Sequence, residues 1–119
     1  MLYYYNTTTK ENLMLFFKKK TTVNETINKV RTSSNAILID CRTKEEFSHG
    51  HIAGAVNIPV GKITKERVQN RFPDKEREMY IVGSYTDKPS AAISAFKKLG
   101  YKKLRDGGYM EEHYGPLSR

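Results

Sequence analysis

The sequence predicts an α/β domain built on a mainly parallel central sheet. Two observations carry this. Ala36-Ile37-Leu38-Ile39 and Met79-Tyr80-Ile81-Val82-Gly83 are short, continuous apolar runs, the pattern of strands buried on both faces of a sheet. Segments of helical apolar spacing alternate with such runs along the chain, which is the order of repeated strand–helix units. A length of 119 residues suits one domain, read as spanning 21–119 after an N-terminal extension, 1–20.

The elements follow in order. In the extension, Tyr3-Tyr4-Tyr5 is aromatic and Glu11 to Phe17 reads as a short helix burying Leu13, Phe16 and Phe17, with packing against the domain preferred over a partner contact. Thr22 is a candidate N-cap for a helix carrying Val23, Ile27 and Val30, and Glu25 falls at the capping-box position. After the strand Ala36–Ile39, Thr43 caps a helix from Lys44 to Ser48. Ala55-Val56-Asn57-Ile58 is the next strand. A helix over Thr64 to Asn70 turns Val68 and Phe72 inward, and Phe72-Pro73-Asp74 breaks it. The strand Met79–Gly83 leads into a loop, Ser84 to Pro89. Ser90 to Leu99 is a helix with Ala92, Ile93, Phe96 and Leu99 inward and Gly100 as its stop. Lys102 to Arg105 is a last strand, Asp106-Gly107-Gly108 a turn, and a short helix or turn runs to His113.

Composition narrows the function classes. Lys and Arg number 21 against 13 Asp and Glu, a net charge of +8, which attracts anions of every kind. The lysines are dispersed and no recognised nucleic-acid motif accompanies them, so solvated faces are the preferred reading over nucleic-acid binding. No apolar run is long enough to cross a bilayer, so no membrane insertion is expected. Leu13 to Phe17 precedes Lys18-Lys19-Lys20, the reverse of a signal peptide, and a cytoplasmic protein is expected. The single cysteine, Cys41, excludes an internal disulfide and a cysteine-based zinc site. His49, His51 and His113 give only a weak pattern for a metal site, because His49 and His51 are too close and too alike in role, and no metal or cofactor is expected.

In open α/β sheets ligands bind at the carboxyl ends of the strands. The loop Ser84-Tyr85-Thr86-Asp87-Lys88-Pro89 lies between such a strand end and a helix start. Backbone N–H groups curled inward there, with the helix N-terminus behind them, make an anion cradle.

One stretch is more specific. Leu38 to Pro59, LIDCRTKEEFSHGHIAGAVNIP, contains D-x-R, E-E-F, G-H-I-x-G-A and N-I-P. This order resembles the N-terminal signature of rhodanese-like domains. Leu99-Gly100-Tyr101 and Asp106-Gly107-Gly108 fit later landmarks of that family, and the resemblance covers about Thr21 to Pro116. It implies a three-layer α/β/α fold with a five-stranded, mostly parallel sheet and helices on both faces. It also implies an active loop opened by a cysteine, often C-x-x-G-x-R followed by Ser, which takes up sulfane sulfur as a persulfide. That chemistry needs a thiolate, and the cradle lowers the thiol pKa.

Aligned back from Ser90, this chain places Ser84 at the cysteine position, Asp87 at the glycine and Pro89 at the arginine. A serine hydroxyl is far less acidic than a thiol and forms no persulfide. Asp87 brings negative charge to a loop meant for anions. Pro89 removes an N–H and a guanidinium, although it suits the first turn of a helix. Fold-related phosphatases use a cysteine and a loop one residue longer that ends in arginine. Ser84 and Ser90 stand there instead, so that activity is not supported either. Ser84 also lacks the G-x-S-x-G elbow and a histidine–carboxylate partner pair of a serine hydrolase. Cys41 sits at a neighbouring strand end, where alternation turns it away from Asp40 and Arg42; a buried, inert thiol is preferred over a catalytic one. The resemblance places Asp40 and Arg42 near the loop, with a structural ion pair preferred over substrate or partner contact. The functional expectation is a rhodanese-like module without sulfurtransferase activity as it stands. It would bind a small sulfur-containing or other anion, or a protein partner, at the loop face. The alternative is a sulfurtransferase whose catalytic cysteine at position 84 has been replaced by the serine seen here.

Overall fold

Residues 21–119 are described in the structure, a computed structural model. The expected extension 1–20 and its short helix lie outside the described residues. Four strands form one sheet: β1 (Ile37–Asp40), β2 (Val56–Asn57), β3 (Met79–Gly83) and β4 (Leu104–Tyr109). They run in the order β2-β1-β3-β4, and every pair is parallel. The first three are the strands read from the apolar runs, while β4 starts two residues later than the expected Lys102–Arg105 and runs on to Tyr109. The fifth strand implied by the family resemblance is not found among the described residues, because no further extended apolar run remains there to form one.

The strands alternate their side chains between two cores. Ile37, Ile39, Met79 and Ile81 face one side with Val68, Phe72, Ala92, Phe96 and Tyr101, under α3 (Lys65–Val68) and α4 (Pro89–Lys98). Leu38, Tyr80 and Val82 face the other with Val23, Ile27 and Ile52, under α1 (Val23–Thr32). This period of two makes both faces of β1 and β3 apolar, and each fully buried aliphatic or aromatic side chain contributes about 1.5–3 kcal/mol.

Threonines start three of the helices. Thr22 and Glu25 form the expected capping box on α1. Thr43 and Glu46 form another on α2 (Lys44–His49), and Thr64 accepts the N–H of Arg67 at the start of α3. In α4 Pro89 occupies the first turn, where its missing N–H costs nothing, so the helix begins one residue earlier than expected. Helix α3 is shorter than the expected Thr64–Asn70, its end passing into turns before Phe72.

The expected turn at Asp106-Gly107-Gly108 is instead part of β4. Ile81 pairs with Asp106 and Val82 with Gly108, so Gly107 is the extra residue of a bulge. A Cβ at 107 would stand 2.9 Å from the Ile81 carbonyl, and Gly108 has φ +97°. Glycine at both places keeps the strand paired while it bends. Thr26 donates to the Gly107 carbonyl at 2.8 Å, tying α1 to this kink. A 3-10 turn, Met110–Glu112, follows directly and lies at the carboxyl edge of the sheet.

Candidate functional site

The carboxyl end of β1 supplies the floor. Asp40 is fully buried and receives Arg42 Nε at 3.1 Å and Nη2 at 2.9 Å, together with the Arg42 backbone N–H at 3.0 Å. Arg42 Nη2 also donates to the Gly50 carbonyl at 2.8 Å. Two residues apart, the pair spans the strand end and anchors the turn after α2. Asn57 Nδ2 bonds the carbonyls of Asp40 and Arg42, both at 3.0 Å, which locks β2 to the same point. The Nε and Nη2 groups of the guanidinium are thereby directed at the protein's own oxygens.

The loop after β3 curls tightly. The Ser84 N–H donates to the Asp87 carbonyl at 2.9 Å, and the Asp87 N–H donates to Ser84 Oγ at 2.9 Å. Ser84 Oγ also contacts Thr86 Oγ1 at 3.1 Å. The turn depends on Gly83, where a Cβ would fall 2.3 Å from the Asp87 carbonyl. Ser84 is 2% exposed, Tyr85 is 52% exposed, Thr86 and Lys88 are exposed, and Pro89 is buried. A cleft of about 210 Å³ brings Ser84 and Arg42 together with Glu46, Met110, Glu111 and Leu117.

Glu111 and Glu112 are the functional-site residues that sequence reasoning missed. The Tyr85 N–H donates to Glu111 Oε2 at 2.9 Å, and the Tyr85 hydroxyl donates to Glu112 Oε2 at 3.1 Å. The bond to Glu112, with some burial and the negative charge of both glutamates, pushes the Tyr85 hydroxyl pKa up. Tyr85 also meets the ring of Tyr109 edge-on, with centroids 4.9 Å apart. The signal available was positional: two acids immediately after the last parallel strand must emerge at the same sheet edge as the loop. One loop N–H, suited to an anion, is therefore filled by a carboxylate of the same chain.

Cys41 is buried and belongs to the core with Ile37 and Ile39, on the face opposite Asp40. Its Sγ lies 3.5 Å from the Asp87 carbonyl beneath the loop. Burial, reinforced by the negative charges of Asp40 and Asp87, pushes the thiol pKa up to about 12. Such a thiol is not a nucleophile at neutral pH. Among the histidines, His51 stacks on Phe47 with centroids 3.8 Å apart and faces the Phe47 carbonyl through Nδ1 at 2.8 Å. His49 is exposed, and half-buried His113 has its pKa lowered by burial. Among the described residues no group of three or more His, Cys, Asp or Glu is placed to hold a metal.

The comparisons with known proteins agree with this architecture. The family model for the rhodanese-like domain matches residues 22–111. Thiosulfate sulfurtransferase PspE of Escherichia coli is 27% identical over 74 residues, covering 62% of this chain and 70% of that one. The HTH-type transcriptional regulator Rv0324 of Mycobacterium tuberculosis is 32% identical over 79 residues, covering 65% of this chain. The chain spans only 34% of that regulator's length. A rhodanese-like domain protein of Staphylococcus aureus superposes with a TM-score of 0.62 at 28% identity, covering 84% of this chain and 96% of that one. With the family model matched over residues 22–111 and the D-x-R strand end and Gly-His-Ile turn in place, the chain belongs to the rhodanese-like domain family.

Proposed function

We propose that this chain is a rhodanese-like module that does not transfer sulfur as it stands and that docks a protein partner on its loop face. The observation that carries the reading is Ser84 at the head of the loop, buried and bonded to the Asp87 N–H. Sulfur transfer from thiosulfate requires a thiolate to attack the sulfane sulfur, forming an S–S bond and releasing sulfite. An alcohol provides no such thiolate, and Cys41 is protonated and sealed beneath the loop. The Tyr85 N–H is already taken by Glu111, which argues for a protein partner over a small sulfur-containing or other anion as occupant. Tyr85 and Leu117 are exposed apolar side chains beside the carboxylates of Glu46, Glu111 and Glu112. An aromatic anchor among acids suits a basic segment of a partner.

A second reading is favoured by one contact. The Asp87 N–H points at the side chain of residue 84, where it would equally stabilise a charged sulfur. That supports a sulfurtransferase in which cysteine belongs at this position. One experiment separates the two. The chain and its Ser84→Cys variant are incubated with thiosulfate, examined by intact mass for one added sulfur, and then assayed with cyanide for thiocyanate. The proposed module gives no product from either protein. Sulfur gained by the variant alone assigns the second reading, and thiocyanate from the unchanged chain overturns both. Docking is tested by titrating a Lys/Arg-rich peptide against the chain and following the Tyr85 and Glu111 amide signals. Shifts there support the docking face, and an inert face with tight binding of thiosulfate instead rejects it.

A further inference from the structure

Away from the loop, a second cavity of about 570 Å³ opens between α2, the turn after β2 and α3. Its lining is Lys44, Phe47, Asn57, Pro59, Lys62 and Arg67. Lys44, Lys62 and Arg67, from three separate elements, thus line one concavity, and no carboxylate is among its described lining residues. The ion pairs among the described residues join Asp40 to Arg42, Glu76 to Lys102 and Glu78 to Arg105, none of which involves these cations. Glu46, the acid on α2 nearest in sequence to Phe47, is occupied by the N–H and hydroxyl of Thr43 at 3.3 and 3.1 Å.

The apolar part of the cavity is held in place. Phe47 is stacked against His51, which fixes its ring. Pro59 is rigid by its own chemistry and caps the turn Val60–Lys62 that carries Lys62. Asn57 is anchored by its two bonds to the β1 end. A fixed aromatic wall with a cluster of cations at its rim matches an anion that carries an apolar, planar body. Arginine supplies a planar fork for phosphate oxygens and the lysines supply point charge. The volume lies within the usual range of small-molecule sites.

We propose that this cavity is a binding site for a small organic phosphate, with the phosphate on Lys44, Lys62 and Arg67 and an aryl or similarly flat body against Phe47 and Pro59. The proposal is independent of the loop and of its chemistry. The test is a titration of the full chain with phenyl phosphate and, separately, inorganic phosphate, followed by backbone amide NMR. Saturable shifts at Phe47, Asn57, Lys62 and Arg67 are expected, with phenyl phosphate binding about fivefold or more tightly than inorganic phosphate. A Lys62→Glu/Arg67→Glu variant should weaken phenyl phosphate by at least about tenfold, as loss of two charge contacts demands, while leaving the thermal midpoint near that of the parent. Lys44→Glu serves if the double variant does not fold. Equal affinity for the two phosphates, unchanged binding by the charge-reversed variant, or shifts confined to Ser84–Lys88 would overturn the proposal. So would binding of a polyanion such as heparin with no response to phenyl phosphate.

Discussion

Glu111 accepts the backbone N–H of Tyr85 at 2.9 Å, linking the turn after β4 to the loop after β3. The two residues are 26 positions apart, and only the side-by-side pairing of β3 and β4 brings them together. The contact gives the loop an internal anion.

Glu111→Ala should free that N–H. The Tyr85 amide should then exchange with solvent faster, by about tenfold, as the loss of a charge-assisted bond of about 1.4 kcal/mol implies. Global stability should change by less than about 1 kcal/mol because the glutamate is exposed. Hydrogen-exchange NMR and urea unfolding read the two quantities. An unchanged exchange rate would mean that the bond does not hold the loop.

Arg42→Ala should be severe. It leaves the fully buried Asp40 carboxylate without its partner and frees the Gly50 carbonyl, so a loss of about 3–5 kcal/mol is expected in urea unfolding. A loss under about 1 kcal/mol would show that Asp40 is reached by water.

Cys41 should resist alkylation. A thiol pKa of about 12 against an ordinary 9.0 lowers the thiolate fraction near neutral pH by about 1000-fold. Iodoacetamide labelling of the folded chain should be correspondingly slow and should become rapid in urea. Because the folded state holds this proton more tightly than the unfolded state, the associated stability is intact below pH 9. It is lost as pH rises from about 9 towards 12. Rapid labelling of the native protein would contradict the buried placement.

Thr22→Ala should cost about 1 kcal/mol by removing the cap of α1. Phe96→Ala should cost about 3–5 kcal/mol, since Phe96 is fully buried between α4 and the sheet. Thermal unfolding of both variants checks the ratio, and similar costs would mean that the core collapses around the lost ring.

Most of the fold was legible in the chain because its signals are local. The runs Ala36–Ile39 and Met79–Gly83 are apolar at every position, the pattern of burial on two faces, and they mark the central strands Ile37–Asp40 and Met79–Gly83. Thr22 with Glu25 marks a helix start within four residues, and the cap formed there. The pair of glycines at 107 and 108 misled, reading as a turn when the backbone is a bulged strand. Pairing with β3 supplies the hydrogen bonds that favour extension, and a single segment does not reveal its partner.

The sequence by itself determined the family, the alternation of strand and helix, and a loop opened by Ser84 after β3. Each of these is written in residue type and spacing along one short segment. Only the tertiary structure decided what meets that loop: Glu111 on the Tyr85 N–H, Cys41 beneath Asp87, and the Gly50 carbonyl on Arg42. It likewise gathered Lys44, Lys62 and Arg67 around Phe47. Such contacts join positions up to 46 residues apart, as between Cys41 and Asp87. The Cys41–Asp87 and Tyr85–Glu111 contacts arise from the parallel pairing of β3 with β1 and with β4, which no local pattern encodes.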